Sequence, residues 1–215
     1  MKKIDDTMFD GLYTEVISDV LDSIGIKNNL MDPCIKALYP EARVVGRAAT
    51  MLIADIYHEP TDEPYTGYID FVDGLTAGEI IIIKGTDSAA ILGELLATAA
   101  KVRGSVGTIV DGYHRDTRML LEMKWPSFSR GNWSLDMTAR CTVYRCNVPI
   151  ICGGVYVKPG DVVFADSGGI VVIPPEKLDT VIEQAKYKVK KEDTVRQELA
   201  RGDKLSDVWK RHHTL

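Results

Sequence analysis

Apolar residues recur every fourth position at Leu12, Val16, Val20 and Ile24, behind Asp6 and Thr7, either of which can cap a helix. This pattern predicts one helix running to about Ile24 and ended by Gly25. Arg43 to Ile56 reads as a strand or a bent pair of strands. A Pro- and Asp-rich loop follows from His58 to Tyr65, then a short helix near Tyr68 to Leu75. Gly78-Glu79 opens Ile80-Ile81-Ile82-Ile83, a continuous β-branched run expected of a strand buried on both faces. It leads through Gly85-Thr86-Asp87-Ser88 to a helix ending near Arg103, ahead of Gly104. Val106 to Val110 is the next strand, running into Asp111 to Asp116, and a helix begins near Asp116. Alternating strands and helices argue for an α/β sheet.

The last third changes character. Thr142 to Ile151, Val155 to Lys158, Asp161 to Ala165 and Ile170 to Ile173 read as short strands, with Gly153-Gly154, Pro159-Gly160 and Ser167-Gly168-Gly169 as turns. A β-meander or small barrel is expected. Pro174-Pro175 then starts a long charged helix up to Arg201-Gly202. Its thin apolar stripe is Leu178, Val181, Ile182, Ala185, Val189, Val195 and Leu199. Such a stripe suits a helix lying on its own domain. The tail beyond adds Leu205, Val208 and Trp209 and reads as a docking arm.

With 215 residues, 45% of them hydrophobic, the chain supports one sizeable core and is short for two. The expected organisation is a single domain over 1–215, with 175–215 as a C-terminal helical arm. The net charge of −5 and the lack of a basic stripe argue against nucleic acid as a partner. No apolar run approaches the roughly 20 residues that span a bilayer, so no membrane association is expected. The N-terminus, Met1 to Asp10, lacks the apolar stretch of a signal peptide. Cys34, Cys141, Cys146 and Cys152 form no C-x-x-C pair and are expected to be buried free thiols in a reducing cytoplasm. His58, His114, His212 and His213 complete no zinc-ligand spacing.

Three features carry chemistry. Gly93-Glu94-Leu95-Leu96 lies at or near a helix start, where free amides and the helix dipole can dock a carboxylate. It also reads as an ordinary helix start, with Gly93 for close packing. Arg115-Asp116 lies at the C-terminal end of a buried strand, where α/β folds place ligands. Arg115 can grip two oxygens at once, and Asp116 is a hard oxygen ligand suited to magnesium or manganese. The same pair also reads as a surface Arg beside a capping Asp. Glu94 precedes Arg115 by 21 residues. If the two strand ends are neighbours, Glu94 faces the metal's water shell; otherwise it is a first-turn Glu complementing the dipole.

These segments, G-E-L-L-A-T-A-A-K-V-R-G (Gly93 to Gly104) and I-V-D-G-Y-H-R-D (Ile109 to Asp116), resemble the RraA-like family. The likeness continues through F-S-R-G (Phe128 to Gly131), G-G-V-Y-V-K-P-G-D (Gly153 to Asp161) and A-D-S-G-G-I-V-V-I-P (Ala165 to Pro174). That family includes 4-hydroxy-4-methyl-2-oxoglutarate aldolases, which also decarboxylate oxaloacetate, and the regulator of ribonuclease activity A. The resemblance implies a swivelling β/β/α fold, with a β-rich half and a long C-terminal helix. It implies a lyase for a small 2-oxo acid, using Mg2+ or Mn2+. Asp116 then matches the metal ligand, Arg115 the residue holding the pyruvyl oxygen, and the Gly93, Leu95 and Leu96 backbone the carboxylate cradle. Glu94 stands where the aldolases commonly have an Asp that orients a water on the metal. A homotrimer or homohexamer is implied, with Glu192 on the C-terminal helix of a neighbouring subunit approaching the site. Tyr113-His114 replaces the small residues usual before Arg-Asp, and Trp125, Phe128 and Trp133 add bulk; both changes are expected to reshape the pocket. His114 is read as a loop residue, either solvated or a proton donor beside the site.

Cleaving the bond beta to a 2-oxo group leaves a pyruvate enolate, whose charge a divalent cation and a fixed guanidinium can stabilise. Aldol cleavage and decarboxylation share this enolate, so one site can serve both. Two competing readings stand beside this one. The first is a Schiff-base aldolase using Lys84, which requires a desolvated amine. The second is a non-catalytic regulatory binding protein of the ribonuclease-regulator type, since fold does not fix function.

Overall fold

The computed structural model describes residues 4–57 and 65–214. The loop expected from His58 falls, apart from Tyr65, outside the described residues. The chain opens with a 3₁₀ turn, Asp6–Phe9, followed by helix α1, Thr14–Ser23. The single helix expected here is therefore broken, because Gly11 adopts φ 73°, a left-handed conformation that ends a helix. Phe9, Val16, Ile17, Val20 and Leu21 still share one buried cluster, so the apolar period survives the break.

Strand β1 is short, Lys36–Ala37, and β2 is long, Val44–Asp55. Helix α2, Thr66–Asp73, precedes β3, Glu79–Lys84. A short strand β4, Ala90–Leu92, then leads into helix α3, Glu94–Val102. Strand β5 is Gly107–His114, helix α4 is Thr117–Glu122 and β6 is Ser127–Asn132. The last third contains β7 (Cys141–Cys146), β8 (Ile150–Cys152), β9 (Val155–Val157), β10 (Val162–Asp166) and β11 (Gly169–Ile173). A 3₁₀ turn at Pro175–Lys177 starts helix α5, Leu178–Ala200, and α6, Leu205–His212, ends the described chain.

Among the described residues, nine strands form one sheet in the order β1-β6-β5-β3-β2-β10-β11, with β4 added on β5 and β7 on β2. Strands β2, β3, β5 and β6 run parallel to one another, whereas β1, β7, β10 and β11 pair antiparallel at the flanks. Ile80 to Ile83 are fully buried, as expected of a strand covered on both faces. The period of two sends Ile81 and Ile83 into one apolar cluster with Phe71 of α2, Ala97 of α3, and Ile91 and Leu92 of β4. Ile80 and Ile82 enter another, with Phe128, Cys152 and Val157.

The expected meander or barrel of the last third is not one unit. Its first strand stops at Cys146, and the segment to Ile150 contains Pro149, which has no N–H for a ladder. The β8–β9 hairpin is a separate two-stranded sheet covering the second face, whereas β10–β11 extends the main sheet beside β2. Helices α1 and α5 pack on the far side of β10–β11 through Phe164, Val171, Val181 and Ala185. The molecule is a mixed α/β domain with a β-rich half and a long C-terminal helix, as expected.

Candidate functional site

Strand β4 supplies the local frame. The amide of Arg115 donates to the carbonyl of Leu92 at 2.7 Å, and β4 runs parallel to the end of β5. This pairing sets the start of α3 against the turn that follows β5. Gly93 caps α3 in an extended conformation, without a side-chain cap. The missing cap comes from elsewhere: the Glu94 amide donates to Asp116 Oδ2 at 3.1 Å. A Cβ on Gly93 would stand 2.4 Å from that oxygen and 3.0 Å from Arg115 Cγ, so only glycine admits this approach. Helix geometry leaves the amides of Leu95 and Leu96 without an intrahelical acceptor, and both residues line the adjoining cavity.

Asp116 holds φ 55°, ψ 35°, a left-handed conformation that Asp tolerates better than most residues. That conformation turns the chain from β5 into α4 directly beside α3. Arg115 Nε lies 3.6 Å from Asp116 Oδ1, and Nη1 is hydrogen-bonded to Asp136 Oδ2. Asp136 also accepts from the Tyr65 hydroxyl, at 2.7 Å and 2.9 Å to its two oxygens, and from the Thr138 amide at 2.7 Å. Burial works to raise its pKa, but the Thr138 and Tyr65 hydrogen bonds and the Arg115 charge prevail and hold it at about 2. Sequence reasoning missed Asp136. Its signal was the Asp-x-Thr of Leu135 to Thr138, the spacing of an Asx turn.

Of the expected residues, Glu94 does not turn toward this group within the chain, and Glu192, expected at a neighbour's site, is held elsewhere on its own chain. The Glu94 carboxylate accepts from Thr98 Oγ1 at 2.7 Å and so lies back along α3. Glu192 accepts from the Tyr13 hydroxyl at 2.5 Å and lies 3.8 Å from Lys188, tying α5 to the chain just before α1. Burial and that bond to Glu192 push the Tyr13 hydroxyl up to about 12.

His114 is neither in a loop nor solvated. It is the last residue of β5 and fully buried. Ser129 Oγ donates to the Gly131 carbonyl and therefore accepts from His114 Nδ1 at 3.1 Å. Nε2 then accepts from Ser127 Oγ at 2.6 Å. Burial pushes this imidazole down to about 4, against the Asn132 hydrogen bond, so it is neutral at pH 7. Trp125 and Phe128 belong to the core; the indole of Trp125 bonds Thr108. Trp133, edge-on to Tyr113, is the aromatic of that segment that reaches a cavity beside Asp116.

Lys84 lies elsewhere. Strand alternation puts it with Ile80 and Ile82, on the face opposite the cluster containing Ile91 and Met137. Its Nζ is 2.8 Å from the buried Asp111, which also faces Arg130 Nη2 at 2.5 Å and the Gly153 amide at 3.0 Å. Burial favours the neutral acid, but the Lys84 bond, the Gly153 amide and the two cations lower Asp111 below the ordinary carboxylate range. An amine held in an ion pair is not the desolvated nucleophile a Schiff base requires. Of the cysteines, Cys141 and Cys152 are buried, Cys146 is partly so, and Cys34 is exposed, contrary to the expectation for it.

The residues around this site fall within a match to the RraA-like (Aldolase/RraA) family model over residues 14–172. A protein of Halalkalibacterium halodurans carrying the provisional name 4-hydroxy-4-methyl-2-oxoglutarate aldolase is 33% identical over 184 residues, 85% of this chain and 82% of its own. A crystal structure of a Pseudomonas syringae protein superposes with a TM-score of 0.81 at 26% identity, covering 97% of this chain and 99% of that one. Streptomyces coelicolor RraAS2, described as an unusual member of the RNase ES inhibitor RraA family, superposes at 0.80 with 23% identity over 91% of this chain and 98% of its own. That last likeness is one of fold. The chain belongs to the RraA-like family.

Proposed function

We propose that the protein is a divalent-metal-dependent carbon–carbon lyase that cleaves a small 2-oxo acid through a pyruvate enolate. The observation that carries this reading is Arg115 and Asp116, adjacent at the end of β5 and set against the open amides of α3. Asp116 and Asp136 outnumber the single guanidinium of Arg115, so a doubly anionic or enolate-bearing ligand would meet net negative charge. A hard divalent cation resolves that conflict. Asp116 is half-exposed, and magnesium or manganese commonly takes one or two protein carboxylates and fills its shell with water and substrate oxygens. The residues therefore fit such an ion, with Asp116 as its ligand. When bound it would supply Lewis-acid stabilisation of the enolate.

The remaining roles belong to the chain. The amides of Leu95 and Leu96 receive the substrate carboxylate at the positive end of α3. Arg115, braced on opposite sides by Asp116 and Asp136, offers its remaining N–H groups to the 2-oxo oxygen, where charge develops. Glu94, once turned off Thr98, would serve as the base for the proton of a 4-hydroxyl. Decarboxylation needs no such base. Assembly as a homotrimer or homohexamer is part of the proposal, with Glu192 released from Tyr13 to meet a neighbour's site.

Oxaloacetate decarboxylation with magnesium, with manganese and with chelator is the test. Turnover should require the ion. Asp116→Asn keeps a residue suited to the left-handed conformation but removes the ligand charge, and should cost at least about a hundredfold, on the order of 2.7 kcal/mol. Full activity in chelator, with borohydride trapping of pyruvate on Lys84, would replace the metal reading. No oxaloacetate turnover and no exchange of the pyruvate methyl with either ion, together with capture of a ribonuclease, would favour the regulatory one.

A further inference from the structure

We infer that the half of the substrate leaving as a carbonyl product is apolar and uncharged: a 4-hydroxy-2-oxo acid with an alkyl or aryl group at C4, not a second carboxylate. This rests on the reading of the site just given and names its substrate class. Beyond the Leu95 and Leu96 amides, the cavity of about 400 Å³ is walled by Tyr65, Ile69, Ile91, Leu95, Leu96 and Met137. Its charged groups, among the described residues, are Arg115, Asp116 and Asp136. Arg115 is the one cation, and it already faces both carboxylates. Asp136 stays ionised throughout the neutral range, so a second substrate carboxylate in this cavity would meet like charge and apolar wall. An alkyl or aryl group would instead cover Ile69, Ile91 and Met137 and remove them from water.

The reaction balances without a further reactant. The C3–C4 bond breaks and its electron pair remains on C3 as the enolate. The C4 hydroxyl loses its proton as C4 becomes a carbonyl, and C3 takes a proton back. Pyruvate and an apolar aldehyde or ketone leave.

A second cavity, of about 500 Å³, adjoins Arg115 and Asp116 on the side of Asn132, Trp133 and Ser134. It contains Arg118, whose guanidinium pairs with Glu122 at 2.9 Å. Leu95 and Leu96, whose amides are proposed to hold the carboxylate, line the apolar cavity, so a substrate held by its head there would place its other half among apolar side chains.

The test compares kcat/KM for 4-hydroxy-2-oxoheptanoate and 4-hydroxy-2-oxoglutarate at saturating magnesium. The full chain is used, beside magnesium-dependent deuterium exchange of the pyruvate methyl in D2O. The exchange reports the head group alone. We expect exchange, and a preference for the alkyl substrate of at least about tenfold. Leu95→Lys, at a position 78% exposed and therefore safe for folding, should move the ratio toward the dicarboxylate by about tenfold. Exchange with the dicarboxylate preferred would overturn this inference alone and place the leaving half on the Arg118 side. An unchanged ratio in Leu95→Lys would also overturn it. Absence of exchange with magnesium and with manganese would remove the lyase reading and this inference together.

Discussion

His114 shows how one residue couples the site to stability. Its ring is sealed between Ser127 and Ser129, two residues before the metal-ligand candidate, and only its neutral form satisfies both bonds. Burial of the ring, only partly offset by the Asn132 hydrogen bond, lowers the pKa from the ordinary 6.5 to about 4 on folding. Between those values the unfolded chain binds the proton and the folded chain does not, so stability is full above about pH 6.5 and falls as pH drops toward 4. The lowered carboxylates, Asp111 and Asp136, contribute mainly below that window, because their unfolded pKa is near 3.8. Urea melts should show a loss approaching about 3 kcal/mol from pH 7 to pH 4. The loss between pH 6.5 and pH 4.5 should be flatter in His114→Gln. An identical slope in that variant would remove His114 as the cause.

At the scale of elements, the junction of β4, α3 and the β5 end makes the site. Half of it was legible. The isoleucine run and Val106 to Val110 foretold neighbouring parallel strands, and Gly93-Glu94 with Arg115-Asp116 foretold where their ends would meet. What escaped was β4: three apolar residues, Ala90-Ile91-Leu92, are too few for periodicity to separate from the helix that follows. Asp136 escaped because its Asp-x-Thr spacing announces only a local Asx turn, whereas its approach to Arg115 from the loop after β6 is a tertiary contact. The orientation of Glu94 escaped because Thr98, one turn on, takes its carboxylate. The break in the first helix was signalled by Gly11 but outweighed by a strong four-residue repeat. Gly93 gives this junction a sharp test. Its backbone, φ −125° and ψ −179°, is open to any residue, so Gly93→Ala should fold with little change in melting temperature. Its Cβ must nevertheless displace Asp116 Oδ2 from 2.4 Å. A shift of about 1 Å in such a group can cost about a hundredfold, so magnesium-dependent exchange of the pyruvate methyl should slow by that order. An unaltered rate would show that Asp116 need not hold its present place.

At the scale of the whole molecule, the C-terminal helices carry the exposed apolar surface on which the proposed assembly would rest. The stripe on α5 is largely used within the chain: Leu178, Val181, Ile182, Ala185 and Val195 are buried, most of them against α1 and β10–β11. Helix α6 folds back on α5, with Arg211 and His212 both on Glu198, at 2.7 Å and 2.9 Å, and Val208 fully buried. The arm is thus an ordered part of the domain. It leaves Tyr187, Leu205 and Trp209 exposed, three large side chains on two adjoining helices. Exposed aromatic residues of this kind favour a protein interface over solvent. A neighbouring subunit docked there is the proposed occupant, and the same association would draw Glu192 from Tyr13 toward that subunit's Asp116. Removing residues 202–215 takes away Trp209 and Leu205 while leaving the α1–α5 packing intact. The truncated chain should remain folded, with a lower mass by light scattering at micromolar concentration and a parallel loss of lyase activity. Tyr187→Lys, on an exposed position of α5, should weaken assembly in the same direction without shortening the chain. If the full-length chain is a monomer of 23.8 kDa with complete activity, neither the assembly nor the shared site survives.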